Sequence, residues 1–63
     1  MKKIKLDLAG IDGNAFSILG AFGLRARREG WTKEEIAAVR EKATAGDYAH
    51  LVTTIAEHCE DEE

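Results

Sequence analysis

The stretch Gly30-Trp31-Thr32-Lys33-Glu34-Glu35-Ile36 carries the clearest local signal for the fold. Thr32 and Glu35 have the spacing of a capping box, in which each side chain accepts a hydrogen bond from a free amide at a helix start. The tryptophan before the box and the isoleucine after it have the spacing of a hydrophobic staple. Gly30 is typical of a left-handed residue that ends a preceding helix. The stretch therefore predicts that one helix ends here and another begins.

The residues before this stretch predict a strand and a helix. Segment 1–9 alternates apolar and polar side chains, which is the period of a half-buried strand. Asp12 is expected to cap a helix over residues 13–29, whose apolar residues surround more than half of its circumference. We expect that helix to be the most buried element. Gly20 and Gly23 are costly inside a helix, so we expect another element to pack closely against them.

The residues after this stretch predict two more helices. The second helix is expected over residues 33–44, and Gly46 then ends it. Asp47 is expected to cap a third helix over residues 48–59, where apolar residues recur at three- and four-residue steps. Residues 60–63 form an acidic tail.

The expected fold is therefore α+β and mostly α, with a short N-terminal strand followed by three helices in a compact bundle. Residues 1–63 are expected to form a single small domain. No second good strand is evident, although the edges of a lone strand need hydrogen-bond partners. A short hairpin through residues 10–13, an extended arm in water, and pairing with a second copy or a partner strand all stay open. We accordingly expect a monomer or a homodimer formed through the N-terminal strand.

Size and composition favour a binding protein over an enzyme. A chain of 63 residues has little room for a deep pocket beside its core. No apolar run reaches the roughly 18 residues of a membrane span, so no membrane association is expected. The single cysteine, Cys59, indicates a reducing compartment, and we expect a cytoplasmic protein.

Candidate catalytic and metal-binding residues do not form a recognisable site. His50 and His58 are eight residues apart, about 12 Å along a helix, which is too far for a shared ion. Ser17 lacks the turn of a nucleophile elbow, and Cys59 lies on the apolar stripe of the third predicted helix. We therefore expect no catalytic residues, no metal and no cofactor.

The charge is distributed unevenly along the chain. Residues 1–31 carry six positive and three negative charges, whereas residues 32–63 carry three positive and nine negative ones. Arg25, Arg27 and Arg28 could contact phosphates, which would suit a small nucleic-acid-associated accessory or regulatory protein. Cations in a last helical turn also complement the helix dipole without any partner.

The acidic half suggests the opposite interaction. A rigid acidic helical surface can occupy a groove built for a phosphate backbone and engage the same lysines and arginines. In that hypothesis the partner is a host protein complex that handles nucleic acid, and no direct contact with nucleic acid is expected. The predicted partner-binding residues are Glu34, Glu35, Glu41, Asp47, Glu57, Glu60 and Asp61.

Three segments resemble a class of small proteins encoded by phages and mobile elements. The segments are Asp7-Leu8-Ala9-Gly10-Ile11-Asp12-Gly13-Asn14-Ala15-Phe16, Gly30-Trp31-Thr32-Lys33-Glu34-Glu35-Ile36 and Gly46-Asp47-Tyr48-Ala49-His50-Leu51. The class is similar to small acidic anti-CRISPR proteins, several families of which act by steric blockade or DNA mimicry. The resemblance implies a non-enzymatic inhibitor of a CRISPR effector in the cytoplasm of a bacterial host cell. An assembly module that uses the strand edge in a phage structure is a further alternative.

Overall fold

The computed structural model describes residues 3–60 and has the expected α+β, mostly α fold. A short N-terminal strand is followed by three helices, and a second short strand comes after them. The elements are β1 (Ile4–Lys5), a 3-10 helix (Leu8–Gly10), α1 (Ala15–Arg28), α2 (Lys33–Ala43), α3 (Tyr48–Glu57) and β2 (Cys59–Glu60).

The start of α2 confirms the capping box. The Thr32 side chain accepts a hydrogen bond from the Glu35 amide at 3.1 Å, and the Glu35 carboxylate accepts one from the Thr32 amide at 2.8 Å. Trp31 and Ile36 are both buried. Gly30 has a φ of +90°, as expected for a left-handed residue after a helix. The stretch that gave the clearest signal thus sets the turn between α1 and α2.

The expected start of the first helix was two residues too early. Asn14, rather than Asp12, is the N-cap of α1, and its side chain accepts a hydrogen bond from the Phe16 amide at 2.8 Å. Asp12 instead accepts from the Asn14 amide at 3.2 Å and so closes a turn ahead of the helix. The two residues have the same capping chemistry, and the prediction chose the wrong one. Asp47 does cap α3, because its carboxylate accepts from the His50 amide at 2.9 Å.

Within residues 3–9, the N-terminal segment is a strand only at Ile4 and Lys5. After β1 the Asp7 side chain accepts from the Ala9 amide at 2.9 Å and starts the 3-10 helix. Leu6 and Leu8 are half-buried against the core. Their packing explains the alternating pattern without a continuous strand. The predicted strand over residues 1–9 was therefore too long, and residues 1 and 2 lie outside the described part of the chain.

The absence of a second strand was also a wrong prediction. Cys59 and Glu60 form β2, which pairs in parallel with β1, with Ile4 opposite Cys59 and Lys5 opposite Glu60. The ladder extends at both ends, because the Ile4 amide donates to the His58 carbonyl at 2.8 Å and the Leu6 amide to the Glu60 carbonyl at 3.0 Å. The helix predicted over residues 48–59 accordingly ends at Glu57. One edge of the N-terminal strand is satisfied within the chain.

The core lies where the three helices and β1 meet. Its largest fully buried side chains are Phe22, Ile4 and Ile55. The Phe22 and Trp31 rings meet edge to face with centroids 5.5 Å apart, and the buried His58 ring contacts both. This aromatic cluster connects α1, the turn before α2 and the end of α3. The other buried apolar residues are Ile18, Leu19, Ala26, Ile36, Val39, Ala43 and Leu51.

Candidate interaction surfaces

The outward side of α2 carries two exposed glutamates, and three exposed cations of the same helix, Lys33, Arg40 and Lys42, flank them. Ile36, Val39 and Ala43 bury one side of this helix, and the opposite side is exposed. Glu34 and Glu41 lie on that exposed side, seven residues and about 10 Å apart along the axis. Only two alanines separate them there. We call this surface, formed by Glu34, Ala37, Ala38 and Glu41, the acidic α2 face.

Two other predicted partner-binding residues have structural roles. The carboxylates of Glu35 and Asp47 accept backbone hydrogen bonds at the N-termini of α2 and α3. There they satisfy free amides and interact favourably with the helix dipoles. Glu57 is exposed at the last residue of α3. Replacing a capping carboxylate would therefore disturb a helix as well as a surface charge.

Glu60 is the residue of the predicted acidic tail that the structure describes, and it forms an ion pair. Glu60 lies in β2, and its carboxylate is 2.8 Å from the Lys5 ammonium on the neighbouring strand. Hydrogen bonding to Lys5, together with its positive charge, lowers the pKa of Glu60. The hydrogen bond and charge of Glu60 likewise raise the pKa of Lys5. Glu60 therefore belongs to a strand rather than to a separate tail, and Asp61 lies outside the described residues.

One of the three arginines of the predicted basic patch, Arg25, forms an ion pair within the chain. The Arg25 guanidinium donates to the Glu29 carboxylate at 2.8 Å, and the Lys5 amide donates to the same oxygen at 2.8 Å. The hydrogen bond from Arg25, followed by that from Lys5, lowers the pKa of Glu29. Arg27 and Arg28 are exposed at the C-terminal end of α1. Arg25 thus holds α1 against β1 through a shared carboxylate.

The outward side of α1 is unexpectedly apolar. Phe16 and Leu24 are 84% and 66% exposed, although the sequence pattern had suggested a helix buried on most sides. Gly20 lies between them, and a Cβ there would have no atom within 4 Å. The expectation of close packing was therefore wrong for Gly20, and a Cβ at Gly23 would make only an ordinary contact of 3.8 Å with Ile36. We call the ridge of Phe16, Gly20, Leu24 and Arg28 the α1 outer face.

The helical period could have revealed this face. The buried residues of α1 are Ile18, Leu19, Phe22 and Ala26, which form one stripe. A single stripe places residues 16, 20 and 24 on the far side at 100° per residue. The prediction counted these apolar residues without separating them by direction, and it missed the exposed ridge for that reason.

A cleft of about 270 Å³ lies between the N-terminal segment and the end of α3. Cys59 was expected on the buried stripe of the third helix, but it lies half-buried in β2 on the wall of this cleft. Burial, followed by the negative charge of Glu29, raises the pKa of the Cys59 thiol to about 11. The thiol is therefore protonated at neutral pH and is a poor nucleophile. The other lining residues are Leu6, Asp7, Leu8, Ala9, Ala56 and Glu60.

Both histidines make contacts within the fold. His50 Nε2 lies 2.8 Å from the Lys42 carbonyl and donates to it, which connects α3 to the end of α2. His58 is buried in the aromatic cluster. Between residues 3 and 60, no three His, Cys, Asp or Glu side chains are grouped so as to hold a metal ion. None of the helices in that range combines the length and apolar character needed to span a membrane.

Comparison of the chain with protein-family models, with curated proteins and with solved structures gives no match. Function is therefore inferred from the exposed surfaces of α1 and α2.

Proposed function

We propose that this chain is a non-enzymatic binding protein whose acidic α2 face occupies a basic, nucleic-acid-binding surface of a host protein complex. The observation that carries the proposal is the exposure of Glu34 and Glu41 on one side of a helix, away from the core. Two alanines lie between them on that side, and the exposed cations of the helix, Lys33, Arg40 and Lys42, flank it. In this proposal the two carboxylates take the place of phosphates of a polynucleotide backbone.

Charge drives this binding as it drives binding of DNA. A surface that binds DNA holds lysines and arginines against phosphates, and displaced counterions contribute much of the affinity. Carboxylates fixed on a helix can replace those phosphates at a small cost in conformational entropy, because the backbone that carries them is already ordered. Affinity should therefore fall as the salt concentration rises.

The resemblance to anti-CRISPR proteins suggests a CRISPR effector as the partner. Such an effector holds nucleic acid in a positively charged channel and reads a short duplex motif next to its target. An acidic protein bound at either place would block DNA recognition. In this proposal Glu34 and Glu41 make the central contacts, and Glu57 contributes at the margin.

The test measures DNA binding by purified, guide-loaded CRISPR effectors of several types. Labelled target DNA reports binding, and the full chain is added as the inhibitor. We expect the wild-type chain to displace DNA from at least one effector and the double variant Glu34→Gln with Glu41→Gln to be at least tenfold weaker.

The matched control carries Ala49→Lys and Thr53→Lys, two exposed positions on α3. It changes the net charge by the same amount and should inhibit to within about threefold of wild type. Equal inhibition by the wild-type chain and the glutamine variant would overturn the role of the acidic α2 face. Inhibition of none of the effectors would overturn the CRISPR target.

Exposure of Arg27 and Arg28 favours the alternative of a nucleic-acid-associated protein. A mobility-shift assay with bare duplex DNA and single-stranded RNA separates the two functions. The acidic-face proposal predicts no shift at physiological salt. A shift that is lost in an Arg27→Gln and Arg28→Gln variant would favour the alternative.

A further inference from the structure

We propose that the cleft between the N-terminal segment and the end of α3 is a binding site for one arginine side chain of a partner protein. In this inference the methylene stem of the arginine lies on the apolar wall of the cleft, and its guanidinium lies against the Asp7 carboxylate. The inference is independent of the proposed function, because the residues that line the cleft lie outside α2.

The first argument is the size and the apolar wall of the cleft. Its volume of about 270 Å³ lies below the roughly 300–1,000 Å³ of sites that enclose small-molecule ligands, so the cleft suits a single long side chain. The apolar wall is formed by Leu6, Leu8, Ala56 and Cys59. Both leucines are half-buried against the core, which supports this wall from behind. Arginine buries its methylene groups on surfaces of this kind while its charged head stays near water.

The second argument is the charge at the cleft. Asp7 and Glu60 line it, and the described residues that line it include no lysine, arginine or histidine. Because Lys5 pairs with Glu60 at 2.8 Å, Asp7 is the lining carboxylate that belongs to neither described ion pair. The negative charge of Glu29 also acts at this wall, since it contributes to the raised pKa of the Cys59 thiol. The cleft therefore favours a cation over a neutral or anionic group.

The Asp7 carboxylate is already held in position. One of its oxygens accepts a hydrogen bond from the Ala9 amide at 2.9 Å, at the start of the 3-10 helix. A carboxylate has about four acceptor sites on its two oxygens, so this bond leaves room for a guanidinium. An ordered side chain also loses little conformational entropy on binding. Arginine suits the site better than lysine, because a guanidinium is more weakly hydrated than an ammonium.

The charge of the cleft also favours an arginine within a protein over the free amino acid. Free arginine carries an α-carboxylate, which would add a negative charge beside those of Asp7 and Glu60, whereas a peptide-linked arginine has no charge there. A single exposed ion pair and a short stem give weak binding, so we expect a dissociation constant on the order of 1–10 mM for one blocked arginine.

Two-dimensional NMR of the isotope-labelled full chain tests the proposal. The probe is N-acetyl-arginine amide, titrated to about 50 mM at constant ionic strength. We expect saturable shifts at the amides of Leu8, Ala9, Ala56 and Cys59, which line the cleft. N-acetyl-citrulline amide has nearly the same shape without the charge, and it should bind at least about threefold more weakly. Free L-arginine should also bind more weakly than the blocked form.

A charge variant tests the role of Asp7. Asp7→Asn removes the charge but keeps a side-chain oxygen for the Ala9 amide, and it should weaken binding at least about threefold. Asp12→Asn is the matched control, because Asp12 is also exposed and also accepts from an amide two residues later, outside the lining of the cleft. It should bind the probe as tightly as wild type.

A filling variant tests the location. Ala56→Leu should weaken binding at least about tenfold, because it places a larger side chain in the cleft. Ala56 is exposed and leucine is a good helix former, so the fold should survive, and circular dichroism checks this. Ala49→Leu makes the same change at an exposed position of α3 outside the cleft and should leave binding unchanged.

Four results would overturn the proposal. The first is the absence of saturable shifts at the lining amides. The second is equal binding of the arginine and citrulline probes, which would assign the cleft to a neutral chain. The third is a folded Asp7→Asn or Ala56→Leu variant that binds the probe as tightly as its control. The fourth is free L-arginine that binds at least as tightly as the blocked form, which would assign the cleft to a small molecule.

Discussion

Ile4 pairs with Cys59 in the parallel ladder, and this pairing joins the two ends of the described chain. Ile4 is fully buried, so it contributes core packing as well as backbone hydrogen bonds. We expect Ile4→Ala to cost about 2–5 kcal/mol of unfolding free energy. That is a large part of the total stability of a domain this small. Urea denaturation followed by circular dichroism measures the loss, and Lys3→Ala at the exposed neighbouring position is the control.

Gly20 and Gly30 should respond to alanine in opposite directions. Gly20→Ala should stabilise the monomer by about 0.5–1 kcal/mol, because a Cβ has open space there and alanine favours the helix. Gly30→Ala should destabilise it by about 1 kcal/mol, because Gly30 has a positive φ. Thermal unfolding compares the two variants. Melting temperatures that shift in the same direction would contradict this explanation.

The local signals in the sequence were sufficient to predict that three helices form and where two of them begin. The capping box at Thr32 and the cap at Asp47 each involve contacts within four residues, and both are confirmed. The end of α3 was not predictable in this way. Cys59 continues the helical spacing of apolar residues, and its strand partner Ile4 lies at the other end of the chain. A two-residue strand has too little pattern of its own to compete with that spacing.

The candidate surfaces were only partly predictable for a related reason. Helical phase places Glu34 and Glu41 in solvent without knowledge of the fold. Arg25 and Glu29 likewise have the local i, i+4 spacing of an ion pair. The contacts of Lys5 with Glu60 and Glu29 are different, because both are long-range. No local rule predicts such pairs. The exposure of Phe16, in contrast, was open to prediction from helical phase, because Phe16 lies off the main apolar stripe of α1.

Glu29 should make the stability of the protein sensitive to acid. Its pKa is lowered in the folded state, chiefly by hydrogen bonding to Arg25, so the folded state favours the ionised carboxylate. The resulting stabilisation is fully present well above the ordinary pKa of 4.5 and is lost as the pH falls through the lowered value. The pKa of Glu60 is also lowered in the folded state, so Glu60 makes stability depend on pH in the same direction. Denaturation between pH 3 and pH 7 should therefore show stability that decreases toward the acid end.

Variants at the two carboxylates separate their contributions to this acid sensitivity. Glu29→Gln should reduce the pH dependence, and Glu60→Gln should reduce it by a further amount. Glu57→Gln is the control, because Glu57 is an exposed glutamate at the end of α3. A stability profile that is unchanged in the Glu29→Gln variant would show that the ion pair with Arg25 contributes nothing to folding.

Cys59 should react slowly with alkylating reagents in the folded protein. Its pKa of about 11, compared with an ordinary value of 9.0, lowers the thiolate fraction at pH 8 on the order of a hundredfold. We expect iodoacetamide to modify the folded chain at least about a hundredfold more slowly than the chain unfolded in urea. Glu29→Gln should accelerate the reaction, because the charge of Glu29 contributes to the raised pKa. Equal rates in the folded and unfolded chain would contradict the burial of this thiol.

Glu34 and Glu41 should have opposite effects on the stability of α2. Glu34 lies in the first turn, where a negative charge interacts favourably with the helix dipole, so Glu34→Lys should cost about 0.3–1 kcal/mol. Glu41 lies in the last turn, where the dipole favours a positive charge, so Glu41→Lys should gain a similar amount. The two positions are far enough apart for the effects to add approximately, and the double variant should be about as stable as wild type. Urea denaturation at low salt measures the stability of all three variants. A double variant that unfolds at a much lower urea concentration than wild type would show that these glutamates stabilise the fold.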